Sequence, residues 1–369
     1  MRKITVLQIL PALGSGGVER GTLELGAYLT QLGHRSIVIS AGGRMVEQLE
    51  AEGSEHVSWP IGEKSLFSLR FVKRLRKFLI EEKVDIMHVR SRMPAWVAFM
   101  AWRGMAIESR PAFVTTVHGT YSVSKYSAVM TKGERVIVIS NMIKAYVLNH
   151  YNASEEKLRL IYRGVDTTHY FHGYQANTEW LALWWAQYPQ TRGKKLLTLP
   201  ARVTKWKGHD DFLQLLHDVK RHRDDVHALV VGEIKEDKSQ YFASLKETVR
   251  ELVLDDMVTF TGHRSDIKEI ISISTLVYSL STQPEAFGRT TIEALSLGVP
   301  VIAYNHGGVR EQLMTILPEG LVEVSNVKEA ARRTLNWLDT PPQVLRNTAF
   351  TLNKMLIDTV SVYQELIRN

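Results

Sequence analysis

The feature that most constrains this chain is an alternation of short β-branched apolar runs with longer helical stretches, and the alternation occurs twice. In the first half the runs are "ITVLQIL" (4–10), "SIVIS" (36–40), "HVSWPI" (56–61), "IMHVR" (86–90), "AFVTTVH" (112–118), "RVIVIS" (135–140) and "LRLIYRG" (158–164). Most connections are long enough to hold a helix. Such spacing specifies parallel strands, which need crossover connections, usually helical. The pattern restarts at residue 195 with "KLLTLPA", "HALVVG", "VTFTG", "LVYSLS" and "VPVIAY". The fold class expected is α/β: two Rossmann-like, doubly wound parallel-sheet domains facing each other across a cleft, a usual place for a ligand. The boundaries read as 1–170 and 171–349, with a linker at about 171–194. A Trp/Leu cluster in that linker suggests a short helix. Leu352, Met355, Leu356, Val360 and Tyr363 recur at helical spacing, so residues 350–369 are expected to pack back on the first domain as a helix.

Charge narrows the partners. The formal net charge is +7. Residues 1–170 hold 23 Lys+Arg against 15 Asp+Glu, and residues 171–369 hold 23 against 24. The excess lies wholly in the first half, which points to an anionic partner such as nucleic acid, acidic lipid or a phosphorylated substrate. The chain contains no cysteine, which excludes disulfides, thiolate metal sites and a cysteine nucleophile. "MRKITVLQIL" reads as a first strand rather than a signal peptide. No apolar run approaches the ~18 residues that span a bilayer, so a cytoplasmic location is expected.

Four segments carry candidate chemistry. "LPALGSGGVERGTLEL" places Gly14, Gly16 and Gly17 between the first strand and a helix. Glycines there let a backbone approach a phosphate or a sugar. Glu19 prevents a complete G-x-G-x-x-G, so a dinucleotide site is weakly supported, and a tight turn is the bland alternative. His118 and Gly119 end the fifth strand, at the carboxyl edge where open α/β sheets place ligands; a lone histidine is otherwise structural. In "LPARVTKWKGHDDFL", Arg202 and Lys207 flank a turn and Gly208 opens a helix. A forked guanidinium, a point charge and a helix N-terminus together suit a diphosphate, and Lys205 can serve the same purpose. The alternative is a solvated basic loop. In "PEAFGRTTIEALSLGVPVIA", Glu285 and Glu293 stand eight residues apart, one in a loop and one inside a helix. Gly288 lets the chain enter that helix closely, and the amides near Phe287, Gly288, Arg289 and Thr290 would face an anion. Glu285 can accept sugar hydroxyl protons, and Glu293 can reach a ribose in the same way. Either glutamate alone is also explained by the helix dipole.

Together these segments resemble a retaining glycosyltransferase of family 4, group 1, with the GT-B fold. The resemblance spans roughly residues 4–340 and rests on Gly16–Gly17, His118-Gly119, Arg202 with Lys207-Gly208, the E-x7-E pair Glu285 and Glu293, and Gly307-Gly308 with Glu311 in "HGGVREQL". Ala201 and Ala286 stand where the family often has glycine. The linker and "LLTLPARVTKWKGH" look most like bacterial lipopolysaccharide-type members. The resemblance implies that Glu285 binds donor-sugar hydroxyls and Glu293 the ribose. Arg202 and Lys207 would hold the diphosphate and stabilise it as leaving group. His118 would sit near the sugar's primary hydroxyl, and Gly16 and Gly17 under the diphosphate or beside the acceptor.

The activity expected is hexosyl transfer from a nucleoside diphosphate sugar to an acceptor hydroxyl with retention, in lipopolysaccharide or other cell-surface glycan synthesis. UDP is expected ahead of GDP or ADP. No cofactor and no metal is expected, since the sequence has no D-x-D and fixed cations serve the leaving group. The alternatives are a nucleotide-sugar epimerase on the same scaffold, which would turn over donor without acceptor, and a non-catalytic binding protein. Nucleic acid is not an expected partner, because the basic excess lacks aromatic interleaving. Residues 64–83 carry seven Lys/Arg (Lys64, Arg70, Lys73, Arg74, Arg76, Lys77 and Lys83) around an apolar stripe of Phe71, Val72, Leu75, Phe78 and Leu79. The stripe is expected to face the sheet. The basic flank is expected to meet an anionic inner membrane surface, where a glycan or lipid-linked acceptor would be found.

Overall fold

The computed structural model describes residues 2–14, 16–63, 68 and 70–367. It divides into two units, one formed by Met1–Tyr162 with Asn353–Asn369 and the other by Arg163–Leu352.

The first unit runs β1 (Thr5–Ile9), α1 (Gly17–Gln31), β2 (Arg35–Ser40), α2 (Val46–Ala51), β3 (Glu55–Ser58), α3 (Arg70–Glu81), β4 (Ile86–Val89), α4 (Arg92–Arg103), β5 (Ala112–Val117), β6 (Arg135–Val138), α5 (Asn141–His150) and β7 (Leu158–Leu160). The strands form one parallel sheet in the order β3-β2-β1-β4-β5-β6-β7. All seven expected strands are present; β2 and β3 begin one residue earlier than read, and the others are trimmed at one or both ends. Their continuous apolar runs are explained by helices covering both faces: Val6, Leu7, Ile9, Ile37, Val38 and Ile39 are all fully buried. The order reverses between β1 and β4, which makes their carboxyl ends the switch point of this sheet.

In α3 the stripe does face inward. Phe71, Leu75 and Leu79 are buried, and Phe78 meets Trp59 edge-on at 5.4 Å. The basic flank is smaller than its sequence count. Arg76 is half-buried, packed against Gly104, with its Nε sealed from solvent. Arg70, Lys73, Arg74, Lys77 and Lys83 remain exposed. Lys64 lies outside the described residues.

The second unit runs α6 (Thr178–Gln187), β8 (Lys195–Pro200), α7 (His209–Lys220), β9 (Val226–Val231), α8 (Ser239–Glu251), β10 (Val258–Gly262), α9 (Ile267–Ser272), β11 (Leu276–Ser279), α10 (Arg289–Leu297), β12 (Val301–Tyr304), α11 (Gly307–Ile316), β13 (Leu321–Val322) and α12 (Val327–Asp339). Its parallel sheet has the order β10-β9-β8-β11-β12-β13, with the switch point between β8 and β11. The two-residue β13 carries no readable strand pattern and was not expected. The stretch read as a linker is part of this unit. Trp184 is 2% exposed among Leu196, Leu229, Val231 and Ile270, and its indole donates to Thr191. Burying an indole of that size ties α6 to the sheet.

The last helix, α13 (Leu352–Ile367), joins the first unit. Tyr363 is fully buried and its hydroxyl lies 2.6 Å from His88 Nδ1 in β4. Glu365 accepts from Arg135 and Arg159, whose guanidinium groups hold its carboxyl down at about 2.

Candidate active site

The candidate residues of the second unit converge on the loops that follow β8 and β11, the two strands at its switch point. The loop after β8 ends in Gly208, which has φ 77°. A Cβ there would lie 1.9 Å from the Leu280 carbonyl oxygen. Only glycine lets the two loops stack, and Thr282 N–H donates to the Trp206 carbonyl at 2.8 Å to complete the contact.

This stacking brings together residues 78 positions apart. Lys207 Nζ lies 2.8 Å from Glu285 Oε1, with the side chains 15% and 18% exposed. The ammonium also sits 4.3 Å from the centre of the Trp206 ring. Ser281 donates its hydroxyl to the same Glu285 oxygen at 2.5 Å. His306 Nε2 meets the Ser281 carbonyl at 2.6 Å. The glycines of "HGG" fix the loop from the other side. Gly308 N–H donates to the Glu285 carbonyl at 2.7 Å, and a Cβ on Gly308 would come within 2.6 Å of Ala286 O and Phe287 Cα. Arg202 is exposed, and among the described residues no carboxylate lies within ion-pair distance of it.

Gly288, at φ 87°, opens α10 with no side-chain cap. Glu293 is one turn in, 4% exposed, with Arg289 Nε at 3.0 Å from Oε1. Arg289 is therefore engaged with the second glutamate of the pair rather than standing alone. Phe287 was read for its main-chain amide, and its side chain is placed in the core. Its side chain is 6% exposed against Phe350 at 6.1 Å, and its carbonyl accepts from Gln312 at 2.6 Å. It anchors the loop from within the core. Thr290 is half-buried on the first turn of α10.

Gly16, Gly17 and His118 belong to the first unit. Gly16 and Gly17 begin α1 after β1, and His118 follows β5, so all three lie at the carboxyl edge of one sheet. His118 N–H donates to Tyr121 Oη at 3.3 Å, and Tyr146 donates to the Tyr121 carbonyl. Arg92 stacks on the Tyr121 ring at 4.8 Å. This aromatic clamp holds the loop beyond His118.

The sequence reading missed Ser281, His306 and Gln312 as supports of the Glu285 loop, and His209 beneath the cationic loop. His209 is 1% exposed, and neither ring nitrogen has a hydrogen-bond partner. Burial drives its pKa from 6.5 to about 4, although main-chain groups of Ala201 and Thr204 lie close. The unfolded chain therefore takes up this proton first as pH falls. Stability is fully present above pH 6.5, declines between 6.5 and about 4, and then levels off. The loss is roughly 3 kcal/mol for His209, and His227, also held at about 4 by burial, adds in the same direction. His209→Leu is expected to flatten this part of the melting-temperature curve. An unchanged slope in that variant would remove His209 from the account. The Glu365 carboxylate titrates below this window, where its stabilisation is lost as pH falls towards 2.

Two family models match the chain: Glycosyltransferase Family 4 over residues 15–169 and Glycosyl transferases group 1 over residues 185–349. A crystal structure of a glycosyltransferase from Rickettsia africae is 33% identical, covers 100% of both chains and has a TM-score of 0.89. The N-acetyl-alpha-D-glucosaminyl L-malate synthase of Bacillus anthracis is 24% identical over 343 residues, 89% of this chain and 85% of that protein. Anabaena HepE, solved with UDP and glucose, shares the fold at a TM-score of 0.75 and 19% identity over 99% of this chain and 95% of that chain. With the two parallel-sheet units and the loop pair at the second switch point, these matches establish that the chain belongs to the group 1 glycosyltransferases of the GT-B fold.

Proposed function

We propose that this glycosyltransferase moves a hexosyl group from a nucleoside diphosphate sugar, UDP first among the bases, to an acceptor hydroxyl with retention. The observation that carries the reading is the Lys207–Glu285 pair at 2.8 Å, beside an exposed Arg202 and the uncapped α10 N-terminus. A cation and a carboxylate held together can divide a donor between them. Lys207 and Arg202 take the diphosphate, Glu285 takes the sugar hydroxyls, and buried Glu293 accepts from the ribose. Helix amides add fixed dipoles at the phosphate. In the reaction the bond from the anomeric carbon to the diphosphate oxygen breaks. The acceptor oxygen bonds that carbon on the same face, and its proton passes to the departing phosphate oxygen. His118, Gly16 and Gly17 remain the first unit's candidates for the sugar and the acceptor, as the resemblance implies. Gly288, Arg289 and Thr290 serve the donor from the second, through main chain and through the Arg289–Glu293 contact.

A binding panel of UDP, GDP, ADP and their sugars tests this reading. One nucleotide should bind, and Glu293→Ala should weaken it by about 1–3 kcal/mol through the lost ribose bonds. Binding of none, or equal affinity in the variant, would refute the assignment.

The lipopolysaccharide-type role is supported by the sequence resemblance and by the exposed Lys73, Arg74 and Lys77 of α3. Each cation near an anionic leaflet contributes about 1 kcal/mol. The enzyme should co-sediment with anionic vesicles at low salt and be released by salt. Glutamine at these three positions should abolish the effect. Equal recovery with neutral and anionic vesicles would sink the membrane role.

A further inference from the structure

We infer that Arg90 is an oxyanion-binding residue of the first unit, positioned to take a carboxylate or phosphate group carried by the acceptor. Arg90 follows β4 directly and is 4% exposed. Its guanidinium is held from one edge only. Gln8 Oε1, from neighbouring β1, accepts from Nε at 3.1 Å and from Nη2 at 2.8 Å. Gln8 is itself fully buried, and its Nε2 donates to the Thr22 carbonyl at 3.0 Å. The amide is thereby fixed with its oxygen toward Arg90, and the guanidinium cannot swing away.

Among the described residues no carboxylate pairs with this cation. The carboxylate whose field reaches it, Glu24, is engaged by Arg20 at 3.4 Å. Burial lowers the Arg90 pKa, yet a guanidinium does not give up its proton in a protein. A desolvated charge without a counter-charge is costly, and structures normally pair it. Here the edge formed by Nη1 and the outer side of Nη2 has no protein acceptor among the described residues. The residue as a whole keeps 4% of its surface exposed. That edge presents two parallel N–H groups, the fork that matches a carboxylate or phosphate.

The position agrees with the chemistry. β1 and β4 flank the switch point of the first sheet, where open α/β sheets receive ligands. The turn leaving β1 contains Gly14, Gly17 opens α1, and a Cβ on either would meet nothing within 4 Å. Open space therefore flanks the chain where it leaves β1. Assignment to the acceptor rests on the transferase reading above, whereas the anion site does not.

Inorganic phosphate and malonate are titrated at constant ionic strength, by calorimetry and thermal shift, into an Arg202→Ala/Lys207→Ala background that silences the cations of the second unit. One or both anions should bind saturably. Adding Arg90→Gln should weaken binding by about tenfold or more. Arg90→Lys keeps the charge but loses the fork and should weaken it several-fold, which carries the test if the glutamine variant does not fold. Equal responses with and without Arg90 would overturn the site. UDP is titrated separately into the chain with Arg202 and Lys207 intact, and Arg90→Gln should leave that affinity unchanged. A tenfold loss there would move the anion from the acceptor to the donor's diphosphate and overturn the acceptor assignment. Failure of UDP to bind at all would refute the nucleotide reading while leaving the phosphate and malonate result standing.

Discussion

Lys207→Ala and Arg202→Ala are each expected to lower turnover by about 10²–10³-fold, with a much smaller change in nucleotide affinity. Negative charge grows on the leaving diphosphate only as the glycosidic bond breaks, so a fixed cation there stabilises the transition state more than the ground state. Lys207 should show the larger effect. Its removal leaves Glu285, 18% exposed and bonded to Ser281, without the cation that separates it from the phosphates. The like charges then repel in the complex as well as in the transition state. Steady-state and single-turnover rates on both variants check this. A rise in the Michaelis constant alone, with turnover intact, would remove the leaving-group role. Because these cations are side chains, excess EDTA should leave the initial rate unchanged. Loss of activity restored by magnesium or manganese would show that a metal holds the diphosphate instead.

Gly208→Ala should be the most damaging single methyl addition in the second unit. Two costs add: a left-handed residue with φ 77° and an overlap of 1.9 Å with the backbone oxygen of Leu280. Together they are on the order of 2–4 kcal/mol, and the loops after β8 and β11 can no longer stack. Gly193→Ala is the control. That glycine has φ 74° but open space around its Cβ position, so the change should cost about 1 kcal/mol. Equal melting temperatures for the two variants would show that the loop contact is unimportant. Activity in Gly208→Ala should fall even where the protein remains folded, since Lys207 and Glu285 then part.

The strands were legible because parallel strands covered on both faces read as unbroken apolar runs, as "LLTLP" and "VHALVV" do. β13 was not, because two residues carry no period. Site composition was legible only through spacing within one loop. Glu285 and Glu293 announce themselves eight residues apart, but nothing local says that Lys207 reaches Glu285. That contact depends on strand order, which places β8 beside β11 across a long stretch of sequence. Phe287 was read for its main-chain amide alone, and its ring was not placed. Its neighbours are loop residues, yet an aromatic ring beside Phe350 goes to the core. His209 and Arg90 were passed over because burial, which makes each unusual, is a property of the fold and not of any short motif.

The chain leaves the first unit at Tyr162 and re-enters it at Asn353. Both crossings run side by side within the second unit: Val165 N–H donates to the Phe350 carbonyl at 3.1 Å, and Leu352 N–H donates to the Val165 carbonyl at 2.8 Å. The second unit is therefore an insert with adjacent ends, a cassette in genetic terms. Exchanging it between homologous genes takes two recombination points, at 162/163 and at 352/353. A chimera joined at the first point alone would cap the first sheet with a foreign final helix. It would lose the Tyr363–His88 contact and the clasp of Glu365 by Arg135 and Arg159. Recombination in such a lineage is thus steered towards replacing the insert whole, and a diverging enzyme can acquire a new second unit without rebuilding the helix that closes the first.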